Sequence, residues 1–391
     1  MKIAILGTRG VPPAYGGFET FADELSSRLV RRGHDVSVYC RGAAGSQPAE
    51  RDDGLRARRS TWNGVQRIEL PAISHKYLET VSHALLSALD ALRRDFDVVL
   101  VCNAANAFVL PLLRAARVRV AINVDGIERR RRKWNVLGRA VYAIGEALSA
   151  SFATVVADAE VIARYYRANY QIEPVVIPYG AEFPDEEDSD ILARLGVKDY
   201  ILYVSRFEPE NNPLEVVRAY EQLAVGGSQL AEDDGSAPAN RQLPTANFPP
   251  LIMVGSGLYA PELVRELHGH ASDKILFPGA LYGRDYRTLQ RNALVYIQAT
   301  EVGGTHPAMI EAMASGGCVL ANDTPENREV GGDSVGYFDV RRPESLSGMI
   351  LEILANPLNR DDFRSRARRR AAERYSWERV TDAYERLFES L

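Results

Sequence analysis

Short runs of apolar, β-branched residues recur along the chain, each followed by a stretch in which apolar residues return every three or four positions. In the first half these runs are KIAIL, DVSVYC, DVVLVC, VAINV and ATVVA, with a helix predicted from about Thr20 to Arg32. The second half restarts with YILYVS, LIMVG, ILFPG, LVYIQ and CVLAN, with a helix near Pro213 to Leu223. Strands this short and this apolar, alternating with helices, predict α/β domains whose parallel sheets are covered on both faces. The 391 residues suit two such doubly wound, Rossmann-like domains. Two prolines and a glycine in Ile177–Pro184 (IPYGAEFP) interrupt the pattern, which sets the expected domains at 1–178 and 184–375. Ligand is then expected in a cleft where the two sheets face one another with their strand C-termini. Residues 226–250, rich in Gly, Ser, Ala, Pro and Asp, read as a disordered surface insertion. Residues 376–391 carry Trp377, Val380, Tyr384 and Leu387 at helical spacing, and a closing helix that returns to the N-terminal domain is expected.

Composition adds a globular class: 46% hydrophobic, 25% charged, net charge −5. Cys40, Cys102 and Cys318 are far apart and read as buried thiols of a reducing cytoplasm. MKIAILGTRG enters a strand and a glycine loop where a signal peptide would place an apolar core, so a cytoplasmic protein is expected. Charge is divided unevenly: residues 1–180 carry +7 and the rest −12. The densest run, Arg129, Arg130, Arg131, Arg132 and Lys133 followed by Trp134, suits peripheral contact with an anionic inner membrane surface or a pyrophosphate-bearing substrate; a solvated helix start fits it as well. An acidic chain without a nucleic-acid motif gives no reason to expect nucleic acid.

The strongest chemical signal is Glu301 to Glu311, EVGGTHPAMIE, after the apolar run YIQAT. Strand, glycine turn and a helix opened by Pro307 make an anion site, at which the amides of Gly303, Gly304 and Thr305 can meet a phosphate. Glu301 would take sugar hydroxyls, and Glu311, two or three turns into the helix, both ribose hydroxyls. The bland alternative leaves Glu301 a solvated cap and Glu311 an exposed helix residue. A second loop follows the first strand: Gly7, Arg9, Gly10, Tyr15, Gly16 and Gly17. Its spacing is not G-x-G-x-x-G and the second strand ends VYCR with no acidic residue, which disfavours a nicotinamide cofactor. The loop can instead bring the Gly16-Gly17 amides to donor phosphates, with Arg9 and Tyr15 on the acceptor side; Arg9 also fits a structural salt bridge. The histidines show no metal-ligand pairing and no Asp-x-Asp sits at a strand end, so no metal and no cofactor are expected.

GTRGVPPAYGGFET, NVDGIERRRRKW, IPYGAE, SRFEPENN and EVGGTHPAMIEAMASGG, in this order over nearly the whole chain, resemble the retaining family 4 glycosyltransferases of GT-B fold. More narrowly they resemble the bacterial rhamnosyltransferases of capsule and cell-wall polysaccharide assembly. The resemblance implies a nucleotide-sugar donor, dTDP-L-rhamnose first, and a glycan or lipid-linked acceptor. It also implies that Glu301 binds the donor sugar, Glu311 the ribose, Arg206 the diphosphate and Gly303 and Gly304 phosphate and sugar, while Gly16-Gly17 cap the donor and Asp125 lies near the reacting carbon. Two departures stand out: nine residues separate the glutamates where the family has seven, and Asn211 occupies the position of a family lysine, implying altered donor recognition. A sugar-nucleotide epimerase or hydrolase, or a non-catalytic nucleotide-sugar-binding subunit, are the competing expectations.

Overall fold

The computed structural model describes residues 1–13, 16–42, 50–51, 57–73, 78–132, 134–183, 188–229, 248–257 and 260–391. These divide into two compact units. The first holds residues 1–180, 303–305 and 377–391, and the second residues 181–302 and 306–376.

The first unit is built on β1 (Lys2–Leu6), β2 (Asp35–Arg41), β3 (Glu50–Arg51), β4 (Arg58–Trp62), β5 (Val65–Leu70), β6 (Val98–Cys102), β7 (Val120–Asn123), β8 (Thr154–Ala157) and β9 (Val175–Val176). Their order in the sheet is β3-β4-β5-β2-β1-β6-β7-β8-β9. Ile5 pairs in parallel with Val38 on one side and Leu100 on the other, and every residue of β6 is buried, as a strand covered on both faces requires. The chain winds one way from β1 to β2 and the other way from β5 through β9. Right-handed crossovers therefore put the Gly17–Arg31 helix on one face and the helices Leu78–Ala91, Leu110–Ala115, Val136–Phe152 and Glu160–Tyr170 on the other. On the first face the C-terminal helix Trp377–Ser390 lies against the Gly17–Arg31 helix, where Tyr384 and Trp377 pack on Phe21. Arg32 clamps the pair by ion pairs of 2.7 Å to Glu378, 2.6 Å to Asp382 and 2.9 Å to Glu385.

One edge of this sheet departs from the all-parallel expectation. Strands β4 and β5 form an antiparallel hairpin, and β3 pairs antiparallel with β4. The turn is Asn63-Gly64 with φ of +47° and +81°, the left-handed pair that a two-residue hairpin requires.

The second unit has β10 (Ile201–Val204), β11 (Leu251–Val254), β12 (Ile275–Gly279), β13 (Val295–Gln298), β14 (Val319–Asn322) and β15 (Gly336–Phe338), all parallel, in the order β12-β11-β10-β13-β14-β15. The Pro213–Gln229 helix runs through residues that read as the start of the insertion; residues 230–247 of that stretch lie outside the described residues. Both sheets reverse direction in the middle, between β1 and β6 and between β10 and β13, and such a switch point opens a crevice at the strand C-termini.

Candidate functional site

In the second unit the switch point carries the expected residues. Arg206 follows β10 and Glu301 follows β13, and the two loops are joined where the Glu301 amide donates to the Glu210 carbonyl at 2.9 Å. The loop holding Arg206 has little freedom. Phe207 N–H donates to Ser256 O at 2.9 Å, and a Cβ on Gly255 would fall 1.9 Å from the Ser205 carbonyl oxygen, so the Gly255–Gly257 turn packs directly on it. The Arg206 side chain stays 41% exposed, with Glu208 3.6 Å away. Asn211, expected on the donor, is instead buried, and its Nδ2 donates to the Arg206 carbonyl at 2.7 Å, bracing the loop from inside. Asn212 and Asn327 brace the end of β13 in the same way through the carbonyls of Ala299 and Thr300. Glu301, half-buried, lines a cavity of about 400 Å³ together with Asn322, Asp323, Thr324, Arg341 and Arg342.

The helix after the glycine turn starts at Pro307 with His306 as its N-cap, so Glu311 lies about one turn in, nearer the mouth than the sequence suggested. It is half-buried and accepts a 2.6 Å hydrogen bond from Tyr286 Oη, which in turn accepts from Gln290 Nε2. This fixes one carboxylate oxygen, a placement that the sequence did not announce.

The turn residues Gly303, Gly304 and Thr305 belong to the first unit, where Asp158 holds them. Thr305 N–H donates to Asp158 Oδ2 at 2.6 Å and Thr305 Oγ1 donates to the Asp158 carbonyl. The Thr305 amide is thus taken by a carboxyl group here and does not offer the phosphate contact expected of it. Gly126 packs so closely that a Cβ would lie 2.9 Å from the Gly303 backbone. Next to it Asp125 adopts φ +54° with its amide donating to Asn123 Oδ1 at 3.0 Å, the left-handed backbone of a turn residue. The Asp125 and Asp158 side chains interact. Burial first, then the neighbouring Asp125 charge, push the Asp158 carboxyl well above its ordinary value of 3.8. Asp158 stands after β8 as Asp125 stands after β7.

A group whose folded pKa is raised costs stability as pH climbs from its unfolded value to its folded one, because only the unfolded chain gains by ionising. Asp158→Asn keeps an oxygen for Thr305 N–H and removes the titration. Its melting temperature relative to the parent is therefore expected to rise with pH above about 4. Melting curves of the two proteins that shift in parallel between pH 4 and 8 would rule this out.

The N-terminal loop is set by close packing. A Cβ on Gly7 (φ +92°) would lie 2.4 Å from Cys102 O, and one on Gly10 (φ +116°) 2.5 Å from Cys40 Sγ. Gly16 is extended and caps the helix that Gly17 starts. The Arg9 backbone is fixed at both ends, its N–H on Glu19 Oε1 at 2.9 Å and its carbonyl accepting from Arg41 N–H. Tyr15 and Lys133 lie outside the described residues. The basic run is not the exposed cationic strip expected of it. Arg131 is buried on Glu128 at 2.6 Å, Arg129 pairs with Glu146 at 3.3 Å and stacks on Tyr165, and Trp134 packs on Tyr142. The buried carboxylates of Glu128 and Glu146 absorb two of these charges, and Arg130, at the surface, stacks on Tyr165 at 5.4 Å.

Two parallel doubly wound units in one chain, with the expected ligand residues at their strand C-termini, are the arrangement of GT-B glycosyltransferases. Residues 16–180 match the glycosyl transferase 4-like domain and residues 184–370 the glycosyl transferases group 1 domain, so the chain is a glycosyltransferase built of these two domains. It is 23% identical to a D-inositol 3-phosphate glycosyltransferase of Kineococcus radiotolerans over 98% of this chain and 93% of that one. Among solved structures, sucrose-phosphate synthase of Thermosynechococcus elongatus superposes with a TM-score of 0.78 at 16% identity over the whole of both chains. Anabaena HepE, in complex with UDP and glucose, does so with 0.74 at 15% over all of this chain and 99% of that one.

Proposed function

We propose that the chain moves a hexose or deoxyhexose, with dTDP-L-rhamnose as first candidate, from a nucleotide sugar to a hydroxyl of a glycan or lipid-linked acceptor, with retention. The observation that carries this is the placement of Arg206 and Glu301 on the two tied loops at the β10/β13 switch point, where such folds bind nucleotides. The nucleotide and sugar in the HepE complex support a donor of this class. Rhamnose and polysaccharide assembly rest on the sequence resemblance alone.

In this reading Arg206 and the Gly303 and Gly304 amides hold the diphosphate, Glu301 the sugar hydroxyls, and Glu311 the ribose. The bond from the sugar C1 to the phosphate oxygen breaks with its electron pair going to the diphosphate. The acceptor oxygen forms the new bond on the same face, and its proton passes to a leaving phosphate oxygen. Asp125 stabilises the positive charge that gathers on the sugar. Arginine and backbone amides meet the phosphate charge without a divalent metal.

Calorimetry with dTDP-L-rhamnose, UDP-glucose, UDP-N-acetylglucosamine and GDP-mannose, with and without EDTA, tests it. Tightest binding of the rhamnose donor, unchanged by EDTA, is expected. Preference for another donor removes rhamnose, and donor breakdown that proceeds without acceptor turns the reading to a hydrolase or epimerase. Glu311→Ala is expected to weaken the donor about tenfold to a hundredfold through the lost charged hydrogen bonds. Undiminished affinity in a folded Glu311→Ala protein would sink the ribose role.

A further inference from the structure

The outer surface of the first unit has an inverted helix. On Val136–Phe152 the buried side holds Glu146 and Tyr142, while the solvent side presents Val136 (83% exposed), Leu137 (73%), Val141 and Ile144 (60%), with Ala140 and Ala147 between them. The helix has two charged residues, the buried Glu146 and the exposed Arg139, so its outer face contains no carboxylate. A helix on a water-facing surface carries the opposite pattern. The Leu78–Ala91 helix repeats it: Leu78, Val81 and Leu85, spaced three and four apart, are exposed along one stripe. Both helices lie on the same face of the sheet and pack on the short helix Ala104–Val109. The exposed cations Arg130 and Arg132 precede one helix and Arg139 sits within its face, in the half of the chain with charge +7.

We propose that this face docks the protein on an anionic bilayer, Leu137, Val141 and Ile144 with Leu78, Val81 and Leu85 entering the headgroup boundary and Arg130 and Arg139 meeting lipid phosphates. Among the described residues no helix is long and apolar enough to cross a membrane, so the attachment lies in the interface plane. The outer face of Val136–Phe152 holds Arg139 and no carboxylate, and on Leu78–Ala91 the half-buried Glu79 is paired with Arg41 at 3.3 Å, so the surface matches a negatively charged lipid surface in both of its terms. The contact centres on the helix that follows the basic run, since Arg129 and Arg131 of that run are paired with Glu146 and Glu128. It stands whichever sugar the enzyme transfers.

The test is co-sedimentation of the full chain with vesicles of phosphatidylglycerol and phosphatidylcholine against phosphatidylcholine alone, with donor affinity measured on the same samples. The parent is expected to pellet with the anionic vesicles, less so at high salt. Leu137→Ser with Ile144→Ser is expected to lower the vesicle partition coefficient at least about tenfold, since each side chain loses most of its transfer free energy. Donor affinity stays unchanged, which shows that the variant is folded. Arg130→Gln with Arg139→Gln is expected to flatten the salt dependence. No sedimentation of the parent, or undiminished sedimentation of the serine variant, overturns the proposal. So does a concentration-dependent dimer that the serine variant dissolves, because the face then serves a second copy of the chain.

Discussion

Arg206→Ala lowers kcat/KM for sugar transfer by about two to three orders of magnitude, the usual loss when one donor to developing negative charge is removed from a preorganised site. The expectation is this large because the site has few cations to meet the diphosphate charge. The resembled family places a lysine five residues after the arginine. Here that position is Asn211, buried, with its amide committed to the Arg206 carbonyl. The backbone that carries Arg206 is held from both sides by the Gly255–Gly257 turn and Asn211, so the loop need not rearrange at the moment of reaction. Arg206→Lys is expected to recover only part of the rate, because an ammonium cannot grip two phosphate oxygens with one planar fork. Steady-state kinetics with saturating acceptor decide it. A kcat/KM within threefold of the parent in Arg206→Ala, at unchanged melting temperature, would mean that the diphosphate is held elsewhere.

What could be read from the chain was whatever repeats locally. The runs KIAIL, DVVLVC, LIMVG and CVLAN became central parallel strands because residues buried on both faces leave a continuous apolar signature. The like runs YILYVS, LVYIQ and VAINV then located Arg206, Glu301 and Asp125, which stand just after them. The Asn63-Gly64 turn is an equally plain hairpin signal, masked by the alternation of strand and helix around it. Asp158 had no such signal. ADAE reads as a helix start, yet the N-cap is Ala159 and no side chain caps it; the carboxyl is used by Thr305, 147 residues away. Pairing across that separation leaves no trace in periodicity. The position after a buried strand, shared with Asp125, was the one available hint. The basic run misled for a related reason: a count of arginines does not show which of them face buried carboxylates such as Glu128 and Glu146.

Gly304→Ala is expected to destabilise the first unit and to lower transfer at least about tenfold. A Cβ there would lie 2.0 Å from Asp158 Oδ1 and 2.3 Å from Oδ2, distances at which something must move. Carboxylates usually swing aside cheaply, but this one is buried and held by Thr305 N–H at 2.6 Å, so the swing breaks that bond. A buried amide left without its acceptor costs about 1–3 kcal/mol, or roughly 2–4 °C of melting temperature for each kcal/mol in a unit of this size. If the clash is the cause, Asp158→Ala should destabilise the parent yet cost the Gly304→Ala protein little more, because the Thr305 bond is already lost there, a coupling of about 0.5–3 kcal/mol between the two sites. Additive effects in that cycle would place the damage elsewhere in the turn. Activity separates the two duties of the glycine. If Gly304→Ala lowers transfer in the Asp158→Ala background as much as in the parent, the missing side chain at 304 also lets the backbone approach the donor; if it does not, Gly304 serves the packing of Asp158 alone.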